Sequence, residues 1–373
     1  MNTVIPHSIR WGVIGLGRCG SNLAEQFYRR GYPVLAINSS VTDFRAGVLP
    51  ADRTVNIGSS NRDGAGQDIM LGKKYLERER NRILEIVNDK FKDIDGILLT
   101  AGLGGGTGSA VFELSSILGS LSNYPINALL TLPWDGEGSV VKVNAINSLN
   151  RLLKTRLGSV AIIDNQRLMS GASSSNLADF YHRGNKKVVS LLDRINRISL
   201  NPANKPIIGF DVEDLRRFFT IPGFLTFQEI TFSPEIILDP ELTVNRIRSH
   251  ARNESILCSD FKYEQASLVG LVFTAPLKIL TKCSSTTLTS VLSYLKDLTS
   301  YSGILKGIFT VSENELPRMY LLFAGMNYPH RIDELLKQAS SEAKKLNLKS
   351  DQGMQQLDVS NFDNIAFFPS QKK

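Results

Sequence analysis

The sequence predicts an α/β protein: a parallel-sheet domain joined by a long central helix to a smaller α/β domain with a mixed sheet, plus a C-terminal helix and tail. Three observations predict it. Up to about residue 170, short apolar runs alternate with segments of helical spacing, the pattern of parallel βαβ units. Two glycine-rich loops each join such a run to a helix start. Past a break at Asn201-Pro202-Ala203-Asn204-Lys205-Pro206, apolar runs return in a different rhythm.

Taken in order, the first strands fall near residues 11–14, 34–37, 97–100, 127–132 and 160–163. Ligands of open parallel sheets bind beyond the carboxyl ends of the strands, and both glycine loops lie there. From 179 to 198, Val188, Leu191, Leu192, Ile195 and Ile198 keep helical spacing and predict the long helix. Residues 267–276, 304–311 and 319–324 read as strands and 288–298 as a helix, which predicts the mixed sheet. Ile332, Leu335, Leu336, Ala339, Ala343 and Leu346 mark an amphipathic helix. The polar stretch 349–358 predicts an unfolded tail. On it, Asn364-Ile365-Ala366-Phe367-Phe368-Pro369 forms an apolar knot that either packs back on the body or docks on a partner or neighbouring subunit.

The most informative segment is Gly102-Leu103-Gly104-Gly105-Gly106-Thr107-Gly108-Ser109-Ala110, set between an apolar strand and a helical run from Val111. A turn needs one or two glycines, and here there are five. Without a Cβ, main-chain N–H groups approach a ligand closely, and a helix start adds donors and a positive dipole end. The segment therefore reads as a phosphate cradle. The second loop, Gly15-Leu16-Gly17-Arg18-Cys19-Gly20-Ser21-Asn22, fits the G-x-G-x-x-G dinucleotide fingerprint. An NAD site also wants an acid at the end of the second strand, where Asn38, Ser39 and Ser40 stand instead. No G-x-x-x-x-G-K-[ST] occurs, so a P-loop NTPase is not supported. Two phosphate loops in one α/β unit suggest a nucleotide with several phosphates.

The 373 residues, 42% of them hydrophobic, suffice for two subdomains with cores. No apolar run approaches a membrane span and no secretory signal is evident at the N-terminus, so a cytoplasmic location is expected. Cys19, Cys258 and Cys283 predict free thiols rather than a disulfide frame, with Cys19 a small packed residue in preference to a reactive one. No Cys/His spacing suggests zinc. A net charge of +7 serves solubility and favours anionic ligands, yet no Lys/Arg block or nucleic-acid motif predicts direct DNA binding.

The glycine loop resembles the GGGTG[ST]G hallmark of the tubulin/FtsZ superfamily of polymerising GTPases, with Ala110 at the position of its last glycine. The resemblance covers about residues 9–340. Leu130-Thr131-Leu132-Pro133-Trp134-Asp135-Gly136-Glu137, Ile162-Ile163-Asp164-Asn165, and Phe210-Asp211-Val212-Glu213-Asp214 with Ile221-Pro222-Gly223 make it most similar to the TubZ branch, which serves plasmid and phage segregation. The resemblance implies a GTP-binding domain over residues 1–178, a central helix over 179–200 and an activation domain with its catalytic loop over 201–328. The C-terminal helix then takes 329–348 and the tail 349–373.

It also implies bound GTP or GDP, with Mg²⁺ carried on the phosphates rather than by protein ligands. Leu16, Gly17, Arg18, Cys19 and Gly20 of one loop would hold the phosphates with Gly104, Gly105, Gly106, Thr107 and Gly108 of the other. Gly64, Ala65 and Gly66, in Asp63-Gly64-Ala65-Gly66-Gln67-Asp68, would face the γ-phosphate; the alternative is a plain surface turn. Glu137 matches the ribose-binding carboxylate, Asn185 matches the asparagine that pairs with the guanine edge, and Asn165 joins the nucleotide-binding set. Asn22 matches the first-helix asparagine; the alternative is an ordinary residue in a first helical turn. Asp211 and Asp214 match the catalytic acids that enter the site of the next subunit and orient the attacking water; the alternative is a helix N-cap at Asp211. Gly209 stands where FtsZ-type loops carry an asparagine, which weakens an FtsZ assignment. The implied protein polymerises head-to-tail into filaments and reaches DNA through a bound adaptor. An FtsZ-like division or membrane-remodelling polymer and a Rossmann oxidoreductase are the other readings.

Overall fold

A strand covered on both faces must be apolar along its whole length. Trp11-Gly12-Val13-Ile14-Gly15-Leu16 meets that condition and is wholly buried. The computed structural model of the protein describes residues 6–45, 47–121, 124–170, 177–253, 257–258, 260–300 and 303–349. Within it, residues 10–189 and the helix His330–Lys349 form one compact unit, and residues 6–9 with 190–329 form another. The apolar segment Asn364–Pro369 and the rest of the expected tail beyond Lys349 lie outside the described residues.

The first unit contains β1 (Trp11–Leu16), β2 (Val34–Asn38), β3 (Thr54–Asn56), β4 (Gly96–Gly102), β5 (Ile126–Leu132) and β6 (Ser159–Asp164). They pair in parallel in the order β3-β2-β1-β4-β5-β6. The chain runs outward from β1 through β2 to β3, then returns to the other side of β1 at β4. That reversal is a topological switch point, where connections diverge and leave a crevice at the carboxyl ends of the strands.

Helix Gly17–Tyr28 follows β1 and buries Leu23, Ala24 and Phe27, the helical spacing of its apolar face. It comes so close to β4 that Thr100 Oγ1 donates to the Gly20 carbonyl at 2.9 Å. A Cβ on Gly20 would lie 2.2 Å from the Thr100 carbonyl oxygen. The helix His330–Lys349 buries Ile332, Leu335 and Ala339 and packs on the helix Ser139–Leu152.

The second unit contains β7 (Lys205–Ile208), β8 (Gly223–Thr231), β9 (Leu268–Pro276), β10 (Leu305–Val311) and β11 (Arg318–Met326), in the order β8-β11-β9-β10-β7. β9 and β10 are parallel and the other pairs antiparallel, so the sheet is mixed as expected. The parallel pair needs a crossover, and the helix Ser285–Thr299 supplies it. The long helix, expected over 179–198, runs Leu177–Arg197. Near its end, Asn196 exchanges two hydrogen bonds with the backbone of Ile9, at 2.7 and 2.8 Å.

Strands β3, β7 and β8 were not legible from apolar runs. β3 is three residues long at a sheet edge. β7 is exposed throughout and contains Pro206, which an edge strand tolerates because one side needs no ladder. β8 buries polar Thr226 and Gln228 among its apolar residues. The sheet accepts them because Thr226 Oγ1 donates to the Cys258 carbonyl at 2.8 Å and Gln228 Nε2 to the Tyr263 hydroxyl at 3.0 Å.

The Gly20 contact is backbone against backbone, so no rotamer change relieves it. Gly20→Ala should cost about 2–3 kcal/mol of folding stability, read as a lower denaturant midpoint without added nucleotide. An unchanged midpoint would mean that the helix does not need this approach to β4.

Candidate functional site

The switch point holds a cleft of about 910 Å³, lined in part by Leu16, Arg18, Cys19, Asn22, Gly104, Gly105 and Gly108. Both glycine loops therefore open into one volume. They touch each other: a Cβ on Gly17 would lie 2.9 Å from the Gly108 nitrogen, and Gly17 adopts φ +69°, a left-handed conformation suited to glycine. Helix Gly17–Tyr28 begins without a side-chain cap. Its first N–H groups and its positive dipole end are thus left for an anion.

Gly105 differs from its neighbours. It is exposed, and a Cβ there would meet no protein atom within 4 Å. A Cβ on Gly108 would stand 2.5 Å from the Gly102 carbonyl oxygen, and one on Gly106 would stand 2.8 Å from the Asp68 carbonyl oxygen. Gly106 and Gly108 thus serve the fold, while a glycine is required at Gly105 only if a ligand comes close. Gly106 and Thr107 are buried in the turn, with the Thr107 hydroxyl 2.6 Å from Ser39 Oγ.

The 63–68 loop backs this cradle. Ala65 is buried, and its methyl is one of the atoms a Cβ on Gly106 would meet. Gly64 and Gly66 adopt positive φ, and Gln67 does so too at φ +65°. Gln67 reaches the cleft lining. Asp68 caps the following helix Ile69–Arg78 by accepting from Leu71 N at 3.0 Å. Asp63 accepts from Val41 N at 2.7 Å, and its bonds to Thr42, Val41 and Ser40 hold its carboxyl below the ordinary range.

The far end of the cleft carries Glu137, Asn165, Tyr181, His182 and Asn185. Asn185 is buried at 7% exposure on the long helix. Glu137 Oε1 accepts from Trp134 N at 3.1 Å. Burial raises the Glu137 carboxyl, while that hydrogen bond and the charge of Lys142 oppose the shift. Burial also pushes the Cys19 thiol up, against a contact with Thr131 Oγ1 at 3.3 Å and helped by Glu137.

Tyr181, His182 and Gln67 carry no local signal for the cleft, since a tyrosine on an amphipathic helix and a polar loop residue are both ordinary. Asn144 carries no such signal either. It is 6% exposed, and its Nδ2 donates to the carbonyls of Gln67 at 2.7 Å and Gly104 at 2.9 Å, tying the two loops together. Among the described residues, no group of three or more His, Cys, Asp or Glu side chains could hold a metal ion.

Asp211 and Asp214 belong to the second unit and are not among the residues that line the cleft. Asp211 caps the helix Val212–Thr220. Its Oδ1 accepts from Asp214 N at 2.9 Å, and Asp214 Oδ2 accepts from Asp211 N at 3.2 Å, a reciprocal capping box.

Residues 10–173 match the Tubulin/FtsZ family, GTPase domain. The tubulin-like protein TubZ of Bacillus cereus is 25% identical over 358 residues, covering 88% of this chain and 82% of TubZ. The tubulin-like protein CetZ of Thermococcus kodakarensis is 23% identical over 350 residues, covering 89% and 86%. Among solved structures, the GTPγS-form protofilament of Bacillus thuringiensis serovar israelensis TubZ superposes with a TM-score of 0.81 at 21% identity, covering 94% of this chain and 96% of that one.

Because the side chain at Gly105 would enter open space, Gly105→Val should leave the melting temperature unchanged. Its volume should instead lower the affinity for a nucleoside triphosphate about ten- to a hundredfold, as titration calorimetry would read. Tight binding by this variant would remove the loop from phosphate recognition.

Proposed function

We propose that this chain, a tubulin-like protein whose residues 10–173 carry a Tubulin/FtsZ-family GTPase domain, binds GTP in the switch-point cleft and hydrolyses it at head-to-tail contacts within a filament. The observation that carries the reading is the meeting of two glycine loops on one cleft, with Gly105 open to it. Backbone N–H groups of Leu16–Gly20 and Gly104–Gly108 would take the phosphates, with the γ-phosphate toward the Gly64–Gly66 loop. Mg²⁺, when bound, would sit on phosphate oxygens and offset their charge. Glu137 would accept from the ribose hydroxyls. Asn185 and Asn22 would offer guanine both a donor and an acceptor, with Asn165 beside them, and the Tyr181 ring supplies a face for the base.

Asp211 and Asp214 would act from the neighbouring subunit. The capping box uses one oxygen of each carboxylate and leaves the other to accept from water. A water so oriented would attack the γ-phosphorus in line. The bond from that phosphorus to the bridging oxygen breaks, and GDP and phosphate leave. A head-to-tail contact of this kind does not close on itself and so grows a filament. Support comes from the TubZ relatives, one of which is described as a type III plasmid segregation protein and others as two- and four-stranded filaments. On that likeness the chain would act in the cytoplasm and segregate plasmid or phage DNA through a DNA-bound adaptor.

Asparagine caps a helix as well as aspartate does, and at position 214 an amide oxygen can still accept from Asp211 N, so Asp211→Asn and Asp214→Asn remove the charge and keep the local structure. Each should bind GTP as tightly as the wild type, lose about 10²–10⁴ in turnover, and leave filaments that sediment and persist in electron micrographs. In the wild type, turnover per subunit should climb with protein concentration. Full activity in a dilute monomer would place the catalytic groups elsewhere.

A further inference from the structure

The nucleotide reading leaves the buried cation Arg331 without a role. Arg331, near the start of the helix His330–Lys349, is 4% exposed. Its Nη2 donates to the Pro133 carbonyl at 3.0 Å and pairs with Asp135 Oδ1 at 2.9 Å. Its Nε lies 3.4 Å from Asp164 Oδ1. Burial works against the guanidinium charge, and Asp164 and Asp135 more than restore it. A buried charge is tolerated only while its partners stay in place.

Those partners border the groups assigned to the nucleoside. Pro133 and Glu137 line the cleft, and Asn165, which also lines it, follows Asp164. The segment 133–137 is held at every turn. Asp135 N donates to Gln166 Oε1 at 2.9 Å, and Gln338 Nε2 of the C-terminal helix donates to Asp135 Oδ1 at 3.1 Å. A second buried cation repeats the arrangement. Lys142, 4% exposed, lies next to the lining residue Val141 and meets Glu342 of the same C-terminal helix at 2.9 Å.

We propose that Arg331 is a positioning residue for ribose recognition: its clamp on Pro133, Asp135 and Asp164 sets the place of Glu137 and makes the C-terminal helix a working part of the nucleoside end of the site. The inference rests on the GTP reading of the cleft. It separates the two ends of the nucleotide, because the partners given above for Arg331 are Pro133, Asp135 and Asp164, at the nucleoside end. Loss of the Arg331 guanidinium would loosen the sugar and leave the phosphates held.

Calorimetric binding of GTP and of 2′,3′-dideoxy-GTP tests this, using the full chain, Arg331→Gln, Arg331→Lys and Asp135→Ser. Wild type should prefer GTP about tenfold, the worth of a charge-assisted hydrogen bond to the missing hydroxyls. Arg331→Gln should nearly abolish that preference while binding the dideoxy nucleotide as wild type does. Arg331→Lys should restore part of it. Asp135→Ser cuts the exposed side of the clamp, leaves the Arg331–Asp164 pair, and should give an intermediate preference; it decides the matter if Arg331→Gln does not fold. An undiminished preference in these variants, or an equal loss for both ligands, overturns the positioning role while leaving the GTP reading intact. A wild-type protein that binds neither nucleotide overturns both.

Discussion

The contact on which the site depends is the seating of the Gly20 backbone against the Thr100 carbonyl of β4. It fixes how close the first helix comes to the centre of the parallel sheet. At that distance the loop after β1 reaches the loop after β4, and Gly17 meets Gly108. Two sets of backbone donors then face one cleft instead of two separate turns. The crevice exists because the chain leaves β1 and β4 in opposite directions. The glycines allow the loops to close on it without filling it.

What surrounds the cleft pairs polar groups of the loops that line it. Ser109 Oγ accepts from Gly104 N at 2.7 Å, and Ser148 Oγ donates to the Ser109 carbonyl at 2.6 Å. Asn144 takes the carbonyls of Gly104 and Gln67. Asn144 and Ser148 lie on the helix Ser139–Leu152, which also carries Lys142 and contacts the C-terminal helix. Buried backbone groups must be paired, and here one helix pairs them for both loops. Gln67 keeps a left-handed conformation that costs a non-glycine residue energy, and its held carbonyl is one reason it persists.

The acids Asp211 and Asp214 show how two sequence readings can coexist. The N-cap reading is met in full by the capping box. It engages one oxygen of each side chain, so it takes nothing from a role toward water. The cap gives both carboxylates a fixed direction, which is what a water-orienting pair would need.

The sequence by itself determined the succession of strands and helices in the first unit, the two glycine loops, the long helix, the apolar face of the C-terminal helix and the mixed character of the second sheet. These are local matters: strand apolarity, helical spacing and the absence of a Cβ are all written in neighbouring residues. Tertiary structure decided the rest. Gly20 and Gly105 are the same residue in similar loops, yet one is pressed on a carbonyl and the other faces open space. Strands β3 and β7 are only three and four residues long, and the ladder beside each is what makes it a strand. Arg331 sits in a polar stretch of an amphipathic helix and would pass for a surface charge. Its carbonyl partner lies 198 positions away in the chain. No periodicity records such a pairing, since it exists only once the fold has brought the two segments together.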